Sequence, residues 1–105
     1  MNQELLERLR KISERLKKEY RAEEVILYGS QAKEEAGEDS DVDLLIIAPT
    51  EERFFRRMAT VLRLIRDLRN GMAVEPIVLT SSELQERVDM GDQFIKGILE
   101  EGVRL

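Results

Sequence analysis

The stretch "YGSQAKEEAGEDSDVDLLII", Tyr28 to Ile47, decides how this chain folds. The Gly29-Ser30 pair closes a short apolar run that starts at Val25, and Asp41 and Asp43, two residues apart, open the next run. From Val42 to Ala48 the residues are continuously apolar apart from Asp43, as a strand buried on both faces of a sheet requires, so 41–48 reads as a strand. Upstream, "EEVILYG" reads as a buried strand over Val25 to Tyr28, ended by Gly29. Between the two strands "SQAKEEA" is helix-prone with Ser30 as its N-cap, and "GEDS" is a loop.

Working outward, Leu5, Leu9, Ile12 and Leu16 recur at helical spacing between charges, which predicts an amphipathic helix over residues 3–19. Past the second strand, "PTEERFFRRMATVLRLIRDLRNG" predicts one long helix capped by Thr50 and stopped by Gly71. Its core side would hold Phe54, Met58, Leu62, Ile65 and Leu68, with Arg53, Arg56, Arg57, Arg63, Arg66 and Arg69 on the solvated side. "AVEPIVLT" is a third strand, and Pro76 argues against a central place for it. Thr80 and Glu83 have the spacing of a capping box, and a last helix runs through "DQFIKGILEEG" before a short "VRL" tail.

The expected fold is therefore α/β (α+β): a small mixed sheet of three to four strands flanked by helices. A right-handed crossover through the long helix would link 41–48 to 74–79. A length of 105 residues predicts a single domain, 1–105, with no repeat or linker.

Composition narrows the chemistry. The 22 acidic against 17 basic residues leave a net charge of −5, which argues against general binding to DNA or to an anionic membrane. With no Cys and no His, disulfides, thiol nucleophiles and Ser-His catalysis are excluded, and a zinc site is disfavoured. No signal-length or membrane-spanning apolar run is present, and a cytoplasmic setting is expected. Neither a P-loop nor a G-x-G-x-x-G motif occurs. Carboxylates, Lys, Arg, hydroxyls and backbone amides remain.

Residues two apart in a strand share a face, so Asp41 and Asp43 point the same way. Two close carboxylates repel unless a cation stands between them, and Mg²⁺ suits the task because it takes a few carboxylates and completes its octahedron with water and phosphate oxygens. Gly29-Ser30 ends a strand where backbone N–H groups face outward; glycine permits close approach to a phosphate and Ser30 adds a donor. A phosphate cradle beside a metal-binding pair is what transfer at phosphorus needs. Glu75 is the one further acid in a predicted strand that can serve as a third carboxylate. Taken alone, the aspartates equally suit a solvated strand start, Ser30 a helix cap, and Glu75 an exposed edge-strand position.

Taken together, Gly29, Ser30, Ala32, Ser40, Asp41, Asp43 and Leu44 resemble the signature of the nucleotidyltransferase superfamily with the DNA polymerase β-like fold, especially its minimal nucleotidyltransferase (MNT) members. The "FIKGILEEGVRL" ending also looks like the small members. The resemblance implies transfer of a nucleoside monophosphate, AMP from ATP, with two Mg²⁺ ions and release of pyrophosphate. Asp41, Asp43 and Glu75 would be the catalytic and metal-binding residues, and Gly29, Ser30, Lys33 and Ser40 the nucleotide-binding ones. It also implies an acceptor: a small helical HEPN-type protein encoded nearby, the toxin of a pair in which this chain is the antitoxin. Self-association stays open. The rival expectations are a feebly catalytic module that neutralises its partner sterically, and transfer to a small molecule such as an antibiotic. The chain departs from the family pattern in "QAKE", where Arg-Ala-Arg-Gly is frequent, in Glu75, where Asp is frequent, and in having no helical second domain.

Overall fold

The computed structural model describes residues 2–32 and 41–105. Among the described residues the order is α1 (Gln3–Glu19), β1 (Glu24–Tyr28), β2 (Val42–Ile47), α2 (Phe54–Leu64), α3 (Arg66–Arg69), β3 (Val74–Leu79), α4 (Ser81–Asp89), α5 (Gln93–Glu101) and β4 (Val103–Arg104). The strands form one mixed sheet in the order β3-β2-β1-β4. β1 runs antiparallel to both β2 and β4, and β2 and β3 are parallel, joined through α2 and α3.

Period-two alternation divides the core between the two faces of the sheet. Val42, Leu44 and Ile46 face α1 and α2 together with Leu9, Ile12, Leu16, Val61 and Ile65. Leu45 and Ile47 face the opposite way, onto Ile26, Leu79, Ile95 and Ile98. β2 is thus covered on both sides, which accounts for its lack of polar alternation. Asp43 belongs by parity to the second face, the one that α5 covers.

β3 is one of the two edge strands among the described residues, as Pro76 requires. At the ends of the β2/β3 ladder the N–H groups of Val42 and Ala48 bond to the carbonyls of Ala73 and Leu79. That parity turns the nitrogen of Pro76 away from β2, so the missing donor costs the ladder nothing.

The tail is more ordered than a plain terminus: Val103 pairs with Leu27, Arg104 with Ile26, and Leu105 N–H bonds to the Val25 carbonyl at 2.9 Å. The capping box on α4 forms as expected, with Thr80 and Glu83 bonded reciprocally.

The long helix departs from expectation in three ways. It begins at Phe54 with Arg53 at the cap position and no side-chain cap, while the Thr50 hydroxyl accepts from Glu52 N–H at 3.1 Å in a local turn. It breaks at Ile65, because Arg15 donates to the Leu64 carbonyl at 2.9 Å and grips Asp67 at 2.9 and 3.1 Å. The Leu68 N–H then bonds to Ile65 instead. It ends at Asn70, in the left-handed conformation at φ 49°, one residue before Gly71 at φ 83°.

The phase of the helix departs from expectation as well: Arg57 is buried at 6% exposure, whereas Phe54, Phe55 and Met58 are 56%, 70% and 46% exposed. Arg57 is retained inside because each of its three guanidinium nitrogens finds an acceptor. Its Nε donates to the Glu52 carbonyl at 3.0 Å, and Nη1 to the Val78 carbonyl at 3.0 Å. Glu83 takes a bidentate pair at 2.6 and 3.2 Å. Ser30, expected to cap a helix, sits with Gln31 and Ala32 in a turn; the rest of "SQAKEEA", from residue 33 on, lies outside the described residues.

Candidate active site

Three strands deliver one row of side chains. In the sheet register Asp43 on β2 stands opposite Glu75 on β3 and opposite Tyr28 on β1. Asp41, one residue before β2, shares their parity. The row lies at the end of the sheet where β1 stops and β2 and β3 begin, so its carboxylates escape the apolar layer that covers Leu45, Ile47 and Leu79, while Tyr28 packs against that layer. Asp41 and Glu75 are exposed, and Asp43 and Tyr28 half-buried.

Crowding among the carboxylates shows in their proton affinities. The negative charges of Asp41 and Asp43 push the Glu75 carboxyl above its ordinary value, and hydrogen bonds with both add to the effect. Burial pushes Asp43 up as well; a hydrogen bond with Glu75 pulls it back and the charge of Asp41 pushes again. The hydrogen bond between the two thus raises the Glu75 carboxyl and lowers that of Asp43. Burial, then the charges of Asp43 and Glu75, lift the Tyr28 phenol to about 12.

Gly29 is fixed at the site by two independent constraints. Its φ of 78° lies in the left-handed region. A Cβ added there would stand 2.6 Å from Oδ2 of Asp43. The backbone of the turn thus lies directly against the carboxylate, and only glycine allows it. Ser30 follows in the exposed turn.

The donor set is all oxygen, negatively charged and self-repelling, which fits a hard divalent cation. Among the described residues no three His, Cys, Asp or Glu side chains form a metal-holding cluster, so Asp41, Asp43 and Glu75 share one face of the sheet without closing a cage. Lys33 and Ser40, the remaining expected nucleotide contacts, lie outside the described residues.

Sequence reasoning passed over Tyr28, whose signal was its place beside Gly29, and over a cleft of about 300 Å³ between the turn at Gly29 and α5. Its walls include Tyr28, Phe94, Gly97 and Ile98. An isolated glycine inside the helical pattern "FIKGILEE" was the signal for that wall. Among the described residues no helix is long and apolar enough to cross a membrane.

The profile of the family described as nucleotidyltransferase domain matches residues 9–105. None of the curated proteins compared with the chain matches it. Among solved structures, the chain is similar to the crystal structure of a candidate nucleotidyltransferase from Sulfolobus solfataricus: 31% identity, covering 77% of this chain and 71% of that one, with a TM-score of 0.59.

Proposed function

Because the chain belongs to the nucleotidyltransferase domain family, it carries a domain for nucleotidyl transfer, and we propose that it moves AMP from ATP to a hydroxyl on a partner protein, with Mg²⁺ required. The observation that carries this reading is the row of Glu75, Asp43 and Tyr28 with the Gly29 backbone set against Asp43.

Gly29 and Ser30 hold the β- and γ-phosphates, the glycine by letting backbone come close and the serine by its hydroxyl. Asp41 and Asp43, assisted by Glu75, hold the metal, which when bound neutralises phosphate charge and favours ionisation of the attacking hydroxyl. The acceptor oxygen forms a bond to the α-phosphorus, the bond from that phosphorus to the bridging oxygen of the β-phosphate breaks, and pyrophosphate leaves. The acceptor proton passes to a carboxylate of the row.

The acceptor in this reading is a small helical HEPN-type protein, and the modification neutralises it as a toxin. The exposed Phe54, Phe55 and Met58 on α2 supply apolar surface of the kind a protein partner covers. The same surface also suits the steric alternative, in which neutralisation needs contact and not chemistry.

Incubating the protein and its co-purifying partner with Mg²⁺ and ATP labelled at the α-phosphate separates the two. Label on the partner with wild type and none with the Asp41→Asn/Asp43→Asn double variant supports transfer. No label with wild type, and full neutralisation by the double variant, sinks it in favour of the steric reading.

A further inference from the structure

We propose that the cleft between the Gly29 turn and α5 receives the nucleoside moiety, base and ribose, of the nucleotide whose phosphates the turn holds; this rests on the nucleotidyl-transfer reading above. Four observations converge on it. Gly29 itself lines the cleft, so a nucleotide with its phosphates at the turn has its nucleoside within reach of this space. The volume, about 300 Å³, lies at the small end for pockets that bury an organic ligand, which suits one nucleoside.

The walls suit a flat ring. Tyr28 and Phe94 meet edge to face, with ring centroids 5.7 Å apart and planes at 85°, so one of the two presents a face where the other presents an edge. Phe94 is 55% exposed despite this contact, an aromatic surface left open at the cleft. Gln93 brings an amide to the same lining, a group able to meet the polar edge of a base.

Gly97 is the most telling residue. It sits inside α5, where glycine weakens a helix, and no positive φ accounts for it. A Cβ added there would meet nothing within 4 Å among the described residues, so packing against them does not account for it either. What a side chain at 97 would do is occupy the cleft. By contrast, Gly102 at the end of the same helix is explained by packing, since a Cβ there would strike the Ile26 side chain and the Ile98 carbonyl.

The test uses the full chain with Mg²⁺, comparing ATP with inorganic tripolyphosphate by calorimetry. In wild type, ATP should bind more tightly than tripolyphosphate. Gly97→Leu should weaken ATP by about tenfold or more, leaving tripolyphosphate unchanged, with a melting temperature at or above that of wild type. Gly97→Ala, which only shortens the cleft, should fall between the two while raising the melting temperature.

ATP bound equally well by Gly97→Leu overturns the inference and leaves phosphate binding standing; if transfer is lost in that variant, the cleft belongs to the acceptor. Equal loss of tripolyphosphate also overturns it, showing that the substitution disturbs the turn. Wild type that binds neither ligand overturns the transfer reading beneath it as well.

Discussion

At the scale of single residues, Gly29 and Asp43 form the tightest coupling in the candidate site, because a Cβ on the one would stand 2.6 Å from Oδ2 of the other. Gly29→Ala carries both a φ penalty and a steric one. We expect it to lower stability by about 1 kcal/mol or more and nucleotidyl transfer by a much larger factor, read from paired melting and label-transfer measurements. Asp43→Asn should act oppositely on the two quantities, removing a repelling charge while abolishing transfer.

The raised carboxyls of Asp43 and Glu75 fix a sign for pH dependence. A carboxyl raised on folding binds protons more tightly in the native state, so its stabilising contribution is complete below the ordinary carboxylate range, about pH 4, and is lost as pH rises through the raised value. Mg²⁺ should restore what ionisation takes away. The Mg²⁺-induced rise in melting temperature should therefore be large at about pH 7 and vanish towards about pH 4, and it should be absent from the Asp41→Asn/Asp43→Asn variant. A rise of equal size at both pH values would exclude these carboxylates as the ligands.

At the scale of elements, the clamp between α2 and α4 is the clearest test of what holds the site's edge strand in place. Arg57 joins α2 to the β3 carbonyl of Val78 and to Glu83 of α4, and Glu83 is drawn down to about 2 by that contact and its capping bonds. Arg57→Leu should cost about 3 kcal/mol in denaturant unfolding, because the Val78 carbonyl and the Glu83 carboxylate lose a buried partner. A depressed carboxyl stabilises above its ordinary range and loses that effect as pH falls, so Glu83→Gln should flatten the acid limb between about pH 4 and about 2.

This clamp also marks where sequence reading stopped. Strand β2 was legible because seven consecutive positions leave a single interpretation, and the capping box at Thr80 because its logic is local. The phase of α2 was not. "RFFRRM" permits either Phe54 and Met58 or Arg57 and Val61 to face the sheet, and the choice is made by acceptors far along the chain, at Val78 and Glu83. The break at Ile65 was hidden for the same reason, since its cause is Arg15 on another helix. In the site, the parity of Asp41 and Asp43 could be read from spacing, whereas the register that puts Glu75 and Tyr28 on either side of Asp43 is a property of strand pairing.

At the scale of the whole molecule, helices cover both faces of a four-stranded sheet, and the polar row emerges at one end of it. Chemistry and partner contact should thus be separable. Phe55→Ser, on the exposed side of α2, should leave the melting temperature and tripolyphosphate binding near wild type while weakening capture of the partner in pull-down. Asp41→Asn/Asp43→Asn should do the reverse, retaining capture and losing label.

The outward-facing nitrogen of Pro76 has a further consequence for assembly. A sheet edge recruits another chain by offering alternating donors and acceptors, and β3 lacks a donor in the middle of its open side. A strand arriving there would find an interrupted template, so concentrated protein should resist polymerising through that edge. Pro76→Val, which restores the donor, should make fibrillar aggregation detectable by dye binding on heating, and it would do so along the strand that carries Glu75.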